Sequence, residues 1–83
     1  MFSPEEFGRR LRQARKAAGE TQSQLGAFLG LKKSQISELE KGSASTTLEK
    51  AAMICVHYHV SADYLLGLSE EPAEKTADSQ ESL

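Results

Sequence analysis

The sequence predicts an all-α domain made of five short helices, and three observations support this fold class. Apolar residues recur at steps of three and four, as on one side of a helix, and we find no strand pattern and no internal repeat. Capping signals recur along the chain, and most of the segments that they open end at a glycine. A chain of 83 residues has room for one small core. We therefore expect a domain over residues 1–68 and a separate polar segment over residues 69–83.

The first helix is expected to begin at Pro4. Ser3 supplies a capping hydroxyl, proline is favoured at the first helical position, and Glu6 completes a capping box. Gly19 is a suitable stop, because glycine takes a positive φ without steric cost. The expected apolar stripe consists of Phe7, Leu11, Ala14 and Ala18, and the basic side chains on other faces are Arg9, Arg10, Arg12 and Lys16.

Two shorter helices are expected next. Thr21 and Gln24 form a second capping box, and the helix that they open ends at Gly30 after about two turns. After a connection of three residues, a helix is expected from Lys33 to Lys41, with Gly42 as its stop. The residues expected to face inward are Leu25, Phe28, Leu29, Leu31, Ile36 and Leu39. Gly26 lies where the two helices must pass close to each other, so a side chain larger than a methyl group would push them apart.

The remaining ordered chain is expected to form two more helices. Thr46 with Glu49 opens the fourth, whose expected buried side is Leu48, Ala51, Ala52, Ile54, Cys55 and Tyr58. Ser61 caps the fifth, which runs through Leu66 and ends at Gly67. Residues 69–83 are acidic and poor in large apolar groups, so we expect that segment to be flexible.

Several classes of protein are disfavoured by the composition. The single cysteine, Cys55, cannot form an internal disulfide, and no apolar run is long enough to cross a bilayer. The first residues lack the features of a signal peptide, so a soluble cytoplasmic protein is expected. Cys55, His57 and His59 are potential metal ligands, but zinc sites normally draw on two separate segments. We find no catalytic set and predict neither enzyme activity nor a cofactor.

Charge is distributed unevenly along the chain. The net charge is −2, but residues 1–45 hold eight basic side chains against five acidic ones, a balance of +3. Residues 46–83 hold two basic side chains against seven acidic ones, a balance of −5. One half of the molecule can therefore face a polyanion while the other half faces away.

The segment 22–42 has the spacing of a helix-turn-helix, in which the second helix enters the major groove of DNA. Helical hairpins with a glycine turn also occur as plain structural elements, so the spacing alone leaves both interpretations open. If the segment binds DNA, the basic residues of the first helix are either a solvated face or a DNA-facing stripe. In the second case, Arg9 and Arg12 are the candidates for phosphate contact.

A longer motif resembles the Xre family of lambdoid repressor and Cro proteins. It reads Gln22-x-x-Leu25-Gly26-x-x-Leu29-Gly30-Leu31-x-x-x-x-Ile36-Ser37-x-Leu39-Glu40-x-Gly42 and is preceded by Arg12-x-x-Arg15-x-x-x-Gly19. The likeness extends without gaps from about Phe7 to Gly67. The resemblance implies a lambda-repressor-like fold with its helix-turn-helix at helices 2 and 3. It also implies a transcriptional regulator, most simply a repressor, that binds double-stranded DNA.

The resemblance also implies roles for individual residues. The candidates for base contact are Lys32, Lys33, Ser34, Ser37 and Glu38, and those for phosphate contact are Gln22, Gln35, Lys41 and Ser43. Lysine can donate to guanine and glutamate can accept from cytosine, so Lys33 and Glu38 are given those partners. Arg15 and Glu40 match a pair that forms a buried ion pair in the family.

Two positions depart from the family pattern. Lys32 stands where a serine or threonine cap is usual, so the third helix either starts less firmly, at Lys33, or is shorter and capped by Ser34. His59 stands where a glycine often ends the fourth helix.

A single recognition helix covers few base pairs, so a two-fold dimer on a palindromic operator is expected. Tyr64 and Leu68 lack an obvious core position and are the candidates for the dimer contact. The alternative is a protein-interaction module on the same fold, an antitoxin or an adaptor, that docks through its acidic tail. Salt separates the two hypotheses, because DNA binding weakens steeply as salt rises.

Overall fold

The structure, a computed structural model, describes residues 2–71. Within that range the chain forms five helices: α1 (Pro4–Ala17), α2 (Gln22–Leu29), α3 (Lys33–Lys41), α4 (Leu48–Tyr58) and α5 (Ala62–Leu65). The predicted all-α class and the order of the helices are confirmed. The expectation of a flexible tail falls largely on residues 72–83, which lie outside the described range. No helix in residues 2–71 has both the length and the apolar character needed to span a membrane.

Side-chain caps fix most of the helix starts. The Ser3 hydroxyl accepts from the Glu6 amide at 3.1 Å, as predicted, and Thr21 and Gln24 form the predicted capping box. The predicted cap of α4 is wrong by one residue, because Thr47 and not Thr46 accepts from the Lys50 amide, at 3.1 Å. Two adjacent threonines offer the same hydroxyl, so the sequence does not distinguish between them.

The start of α3 is at Lys33, so the shorter helix capped by Ser34 is wrong. Lys32 occupies the capping position with extended backbone (φ −82°, ψ 157°), but its ammonium group has only donors and does not cap. The Gln35 side chain instead accepts from the Lys32 amide at 2.8 Å. The Lys32 carbonyl oxygen also accepts from the Ile36 amide at 3.1 Å, so both polar groups of the Lys32 backbone are tied to the first turn of α3.

The core lies where the five helices meet. Its buried members are Phe7, Leu11, Leu25, Leu29, Ile36, Leu39, Ile54, Cys55 and Leu65, and Leu31, Met53, Tyr58 and Leu66 pack against them. Four residues that were expected inside are exposed: Ala18, Phe28, Leu48 and Ala52. Leu48 is the first residue of α4 and is 86% exposed, because the helix reaches the core only in its second half.

A glycine allows α1 to lie directly against α3. A Cβ atom at Gly8 would be 2.3 Å from the Leu39 carbonyl oxygen and 2.5 Å from that of Glu40. Since ordinary contacts begin near 3.4 Å, only glycine fits here without displacement of a backbone. Gly8 was not singled out in the sequence, because nothing in a helical pattern shows where a second backbone approaches.

The turn between α2 and α3 depends on Gly26 and Gly30. A Cβ atom at Gly26 would lie 2.5 Å from the Leu31 carbonyl oxygen, and the Gly26 carbonyl accepts from the Leu31 amide at 2.8 Å. Gly30 ends α2 in the left-handed region, with φ 74°. The close approach predicted at Gly26 is therefore to the turn that leads into α3.

Arg10 occupies a different place from the one expected. It was placed on a solvated or DNA-facing side of α1, but it is only 4% exposed. Its Nη1 donates to the carbonyl oxygens of Tyr64 (2.6 Å) and Ser69 (2.7 Å), and the guanidinium lies 4.3 Å from the centre of the Tyr64 ring. The expectation was wrong because α5 covers this side of α1, and a single helix pattern does not show which element will cover a polar face.

Candidate nucleic-acid interface

The outward side of α3 is the candidate DNA-reading surface. Ile36 and Leu39 are buried and hold the helix to the core, while Lys32, Lys33 and Ser34 at its N-terminal end are exposed. Ser37 is half-buried and Glu38 is exposed. Four of the five candidates for base contact therefore lie on α3 and the fifth, Lys32, directly precedes it; the N-terminal end of the helix is uncovered by the rest of the described chain.

One candidate for base contact, Glu38, is hydrogen-bonded to one candidate for phosphate contact, Ser43. The Ser43 hydroxyl donates to the Glu38 carboxylate and lies 3.3 Å from the Glu38 carbonyl oxygen. Glu38 was assigned to a base and Ser43 to the backbone of DNA. The loop after α3 thus folds back on the recognition helix and holds the Glu38 carboxylate at its end.

The basic candidates for phosphate contact are all exposed, but one of them is paired with an acidic side chain. Arg9 is exposed but pairs with Glu6, and hydrogen bonds from Arg9 and then Arg10 lower the pKa of Glu6 from its ordinary 4.5 to about 2. Arg12 and Lys41 are exposed.

The Gln22 side chain lies at the start of α2 and joins a buried ion pair. Arg15 Nε donates to Glu40 Oε2 at 2.6 Å, and Arg15 Nη2 donates to Oε1 at 3.1 Å. Gln22 Nε2 donates to the same Oε1, also at 3.1 Å. The hydrogen bond to Glu40 raises the pKa of Arg15, so the guanidinium stays charged. The remaining Nη1 of Arg15 donates to the Glu20 carbonyl oxygen at 2.7 Å, in the turn before α2.

A second polar cluster connects this turn to α4. The Glu20 carboxylate accepts from the Tyr58 hydroxyl at 2.7 Å and lies 2.8 Å from His57 Nε2. The Tyr58 bond lowers the pKa of Glu20, and burial raises that of Tyr58. Phe28 stacks on His57 with 4.2 Å between ring centres, which explains why it stays partly outside the core. We did not predict this cluster, since its members are nearly 40 residues apart and share no motif. In residues 2–71 no three metal-capable side chains come together.

The two dimer candidates are in different surroundings. Tyr64 is half-buried under Arg10, and its hydroxyl donates to Gln13 Oε1 at 3.3 Å. Leu68 is 68% exposed and lines an apolar groove of about 470 Å³. Phe2 and Leu48, which are also exposed, line the same groove.

Five helices with an exposed third helix, joined to the second by a glycine turn, define the class of lambda-repressor-like helix-turn-helix domains. A family model described as "Helix-turn-helix domain" matches residues 6–68, most of the chain. The chain therefore belongs to the helix-turn-helix family, and within it to the Xre-type regulators of transcription. The fold and the relatives are those of DNA-binding regulators and not of enzymes.

Individual relatives agree with this assignment. The chain is 40% identical over 69 residues to the Bacillus subtilis (strain 168) protein described as "Uncharacterized HTH-type transcriptional regulator YobD". That match takes in 83% of this chain but only 62% of the relative.

Two solved structures share the fold. The restriction-modification controller protein C.AhdI from Aeromonas hydrophila matches with a TM-score of 0.66 and 27% identity, over 75% of this chain and 94% of that one. The P22 c2 repressor protein, solved in complex with synthetic operator 9T, matches with a TM-score of 0.69 and 28% identity. In that case 76% of this chain and 96% of the repressor chain are covered.

Proposed function

We propose that this protein is a sequence-specific repressor of transcription that reads the major groove of duplex DNA with α3. The observation that carries the proposal is the N-terminal end of α3, which presents two lysines outward while Ile36 and Leu39 anchor the helix. The likeness to the P22 c2 repressor, which was solved with an operator, supports it. A domain over residues 1–68 with a polar extension, acting in the cytoplasm, completes the proposal.

Roles within the interface follow from position and charge. Lys33 lies in the first turn of α3 and donates to guanine in the major groove, while Lys41, in its last turn, contacts a phosphate. Gln22 also contacts phosphate, because the start of a helix favours anions. Glu38 accepts from cytosine.

Selection of bound sequences from a random duplex pool tests the proposal directly. The wild-type protein is expected to enrich one motif, and its affinity for that motif is expected to fall steeply with salt. If no motif is enriched, and binding to a partner protein hardly responds to salt, the chain would instead be a protein-interaction module. On the selected motif, Lys33→Ala is expected to relax the preference at one base pair by about 1–3 kcal/mol. Lys41→Ala is the matched control and should weaken all sequences equally.

The sign of regulation needs a separate experiment. A reporter gene with the selected motif placed over its promoter is expected to lose expression when the protein is supplied. Lys33→Ala should restore expression if repression acts through the motif. A rise in expression with the wild-type protein would make it an activator.

We further propose a two-fold dimer whose contact is the apolar groove beside α5. The support is the exposure of Leu68 and Leu48 along one continuous groove, since a recognition helix alone covers too few base pairs. Leu48→Ser and Leu68→Ser are expected to produce monomers in sedimentation velocity. Val56→Ser is the matched control, because Val56 is an exposed apolar residue of α4 outside this groove. Wild-type monomers bound to DNA one-to-one would exclude the dimer.

A further inference from the structure

Glu40 accepts more hydrogen bonds than its ion pair with Arg15 requires. The carboxylate side chain is only 3% exposed, and the fork of Arg15 donates one hydrogen bond to each of its oxygens. The bond from Gln22 Nε2 is a third one, made to a residue of another helix at the proposed interface. This third bond fills a lone pair of Oε1 that the fork of Arg15 leaves free, and it comes from the element that opens the proposed interface.

The third bond determines which way the Gln22 amide faces. A carboxylate has only acceptors, so the carbonyl end of the amide cannot turn toward Glu40, and the NH2 end must. One N–H of Nε2 is then used, while the other N–H and the carbonyl oxygen point away from Glu40. A glutamine on an open helix surface would populate many rotamers, and ordering it costs entropy when a ligand binds.

We propose that Glu40 is a positioning residue for DNA binding: it holds the Gln22 amide with its second N–H free to donate to a phosphate. This inference rests on the proposed function. Arg15 makes the arrangement compatible with an anion, because it neutralises Glu40 within a bidentate pair. The same guanidinium holds the Glu20 carbonyl, so the ion pair fixes the backbone that leads into α2 as well as the side chain.

A double-mutant cycle on DNA affinity tests the proposal. The variants are Gln22→Ala, Glu40→Gln and the double variant, measured on the selected motif at a temperature where circular dichroism shows all of them folded. Gln22→Ala is expected to weaken binding about tenfold, as for loss of a charge-assisted hydrogen bond. Glu40→Gln is expected to weaken it about fivefold in the wild-type background and less than about twofold when Gln22 is already alanine, since the effect travels through Gln22.

The sign of the Glu40→Gln effect separates positioning from simple electrostatics. Removing a negative charge should tighten DNA binding if only net charge mattered. Glu49→Gln is the matched control, because it makes the same change at an exposed position of α4 and should leave affinity unchanged or slightly higher. Glu40→Asp, which keeps the charge but withdraws the oxygens by one methylene, replaces Glu40→Gln if that variant fails to fold.

The outcomes are distinct. Equal losses for the Glu40 variant in both backgrounds would mean that Glu40 acts through stability or through the Arg15–Glu20 backbone bond and not through the Gln22 amide, and would overturn the inference, as would an unchanged affinity for Gln22→Ala. In the free protein, Glu40→Gln should also shift the side-chain amide resonances of Gln22 in a nitrogen–proton NMR spectrum; unchanged resonances would count against the inference. Failure of the wild-type chain to bind duplex DNA would instead refute the proposed function.

Discussion

Replacement of Gly8 by alanine measures how tightly α1 lies against α3. The added methyl group would meet three backbone atoms of Leu39 and Glu40 at 2.3–2.8 Å, so one helix must withdraw by about 1 Å. Overpacking of this kind costs about 1–3 kcal/mol, and the upper end applies because the obstacles are backbone atoms. Alanine is better than glycine in a helix by about 1 kcal/mol, which offsets part of the cost. The expected net loss in free energy of unfolding is about 2 kcal/mol.

Urea denaturation followed by circular dichroism gives this quantity, and the melting temperature should fall by roughly 8–16 °C. Alanine and glycine placed in turn at Arg12, an exposed interior position of the same helix, calibrate the propensity contribution, and the two variants should differ by about 0.5–1 kcal/mol. The sign of the change in the free energy of unfolding decides the matter, because helix propensity alone would make Gly8→Ala stabilising. A variant that is more stable than the wild type would show that the two helices are not in backbone contact.

Three further substitutions test the Arg15–Glu40 ion pair, the stability of the fold at low pH and the residue that ends α4. Glu40→Ala is expected to cost about 3–5 kcal/mol in urea denaturation, because the buried Arg15 loses its anionic partner. A double variant with methionine at positions 15 and 40 should lose less free energy of unfolding; equal losses would contradict this. The pKa of Glu6 is lowered from 4.5 to about 2 in the folded state, so its contribution is present above pH 4.5 and is lost as the pH falls toward 2. Glu6→Gln should therefore flatten the loss of stability across that interval, and parallel pH profiles would show that the bonds from Arg9 and Arg10 contribute nothing. His59 has a φ of 56°, so His59→Gly should raise the melting temperature by several degrees in a thermal scan, and a decrease would mean that the imidazole makes a stabilising contact.

The local features of the fold were predictable from the sequence. Ser3, Thr21 and Ser61 cap helices by bonds to amides three residues ahead, and such bonds depend only on neighbouring residues. Gly30 and Gly42 end helices in the left-handed region for an equally local reason. The bounds of α2 and the end of α3 follow from these signals, whereas the start of α3, where Lys32 provides no side-chain cap, was left open between two positions.

Contacts between distant residues were not predictable in the same way. Arg10 and the Glu20 cluster depend on which helix covers which face, and no spacing within one segment carries that information. Leu48 and Phe28 have apolar side chains at helical spacing, yet both stay exposed because the first precedes the core and the second lies on His57. The bond from Gln22 to Glu40 was missed for the same reason: the resemblance implied the ion pair of Glu40 with Arg15 but no contact between Glu40 and Gln22.

The attachment of Arg10 has a consequence for local unfolding. An isolated helix as short as α5, which has four residues, does not form in water, so its order depends on outside contacts. One guanidinium holds the carbonyls of Tyr64 and Ser69, the two ends of the segment that contains Leu65. Detachment of this one side chain should therefore release the whole segment together. Amide hydrogens of residues 65–69 are expected to exchange with deuterium at a common rate, well ahead of those in α1.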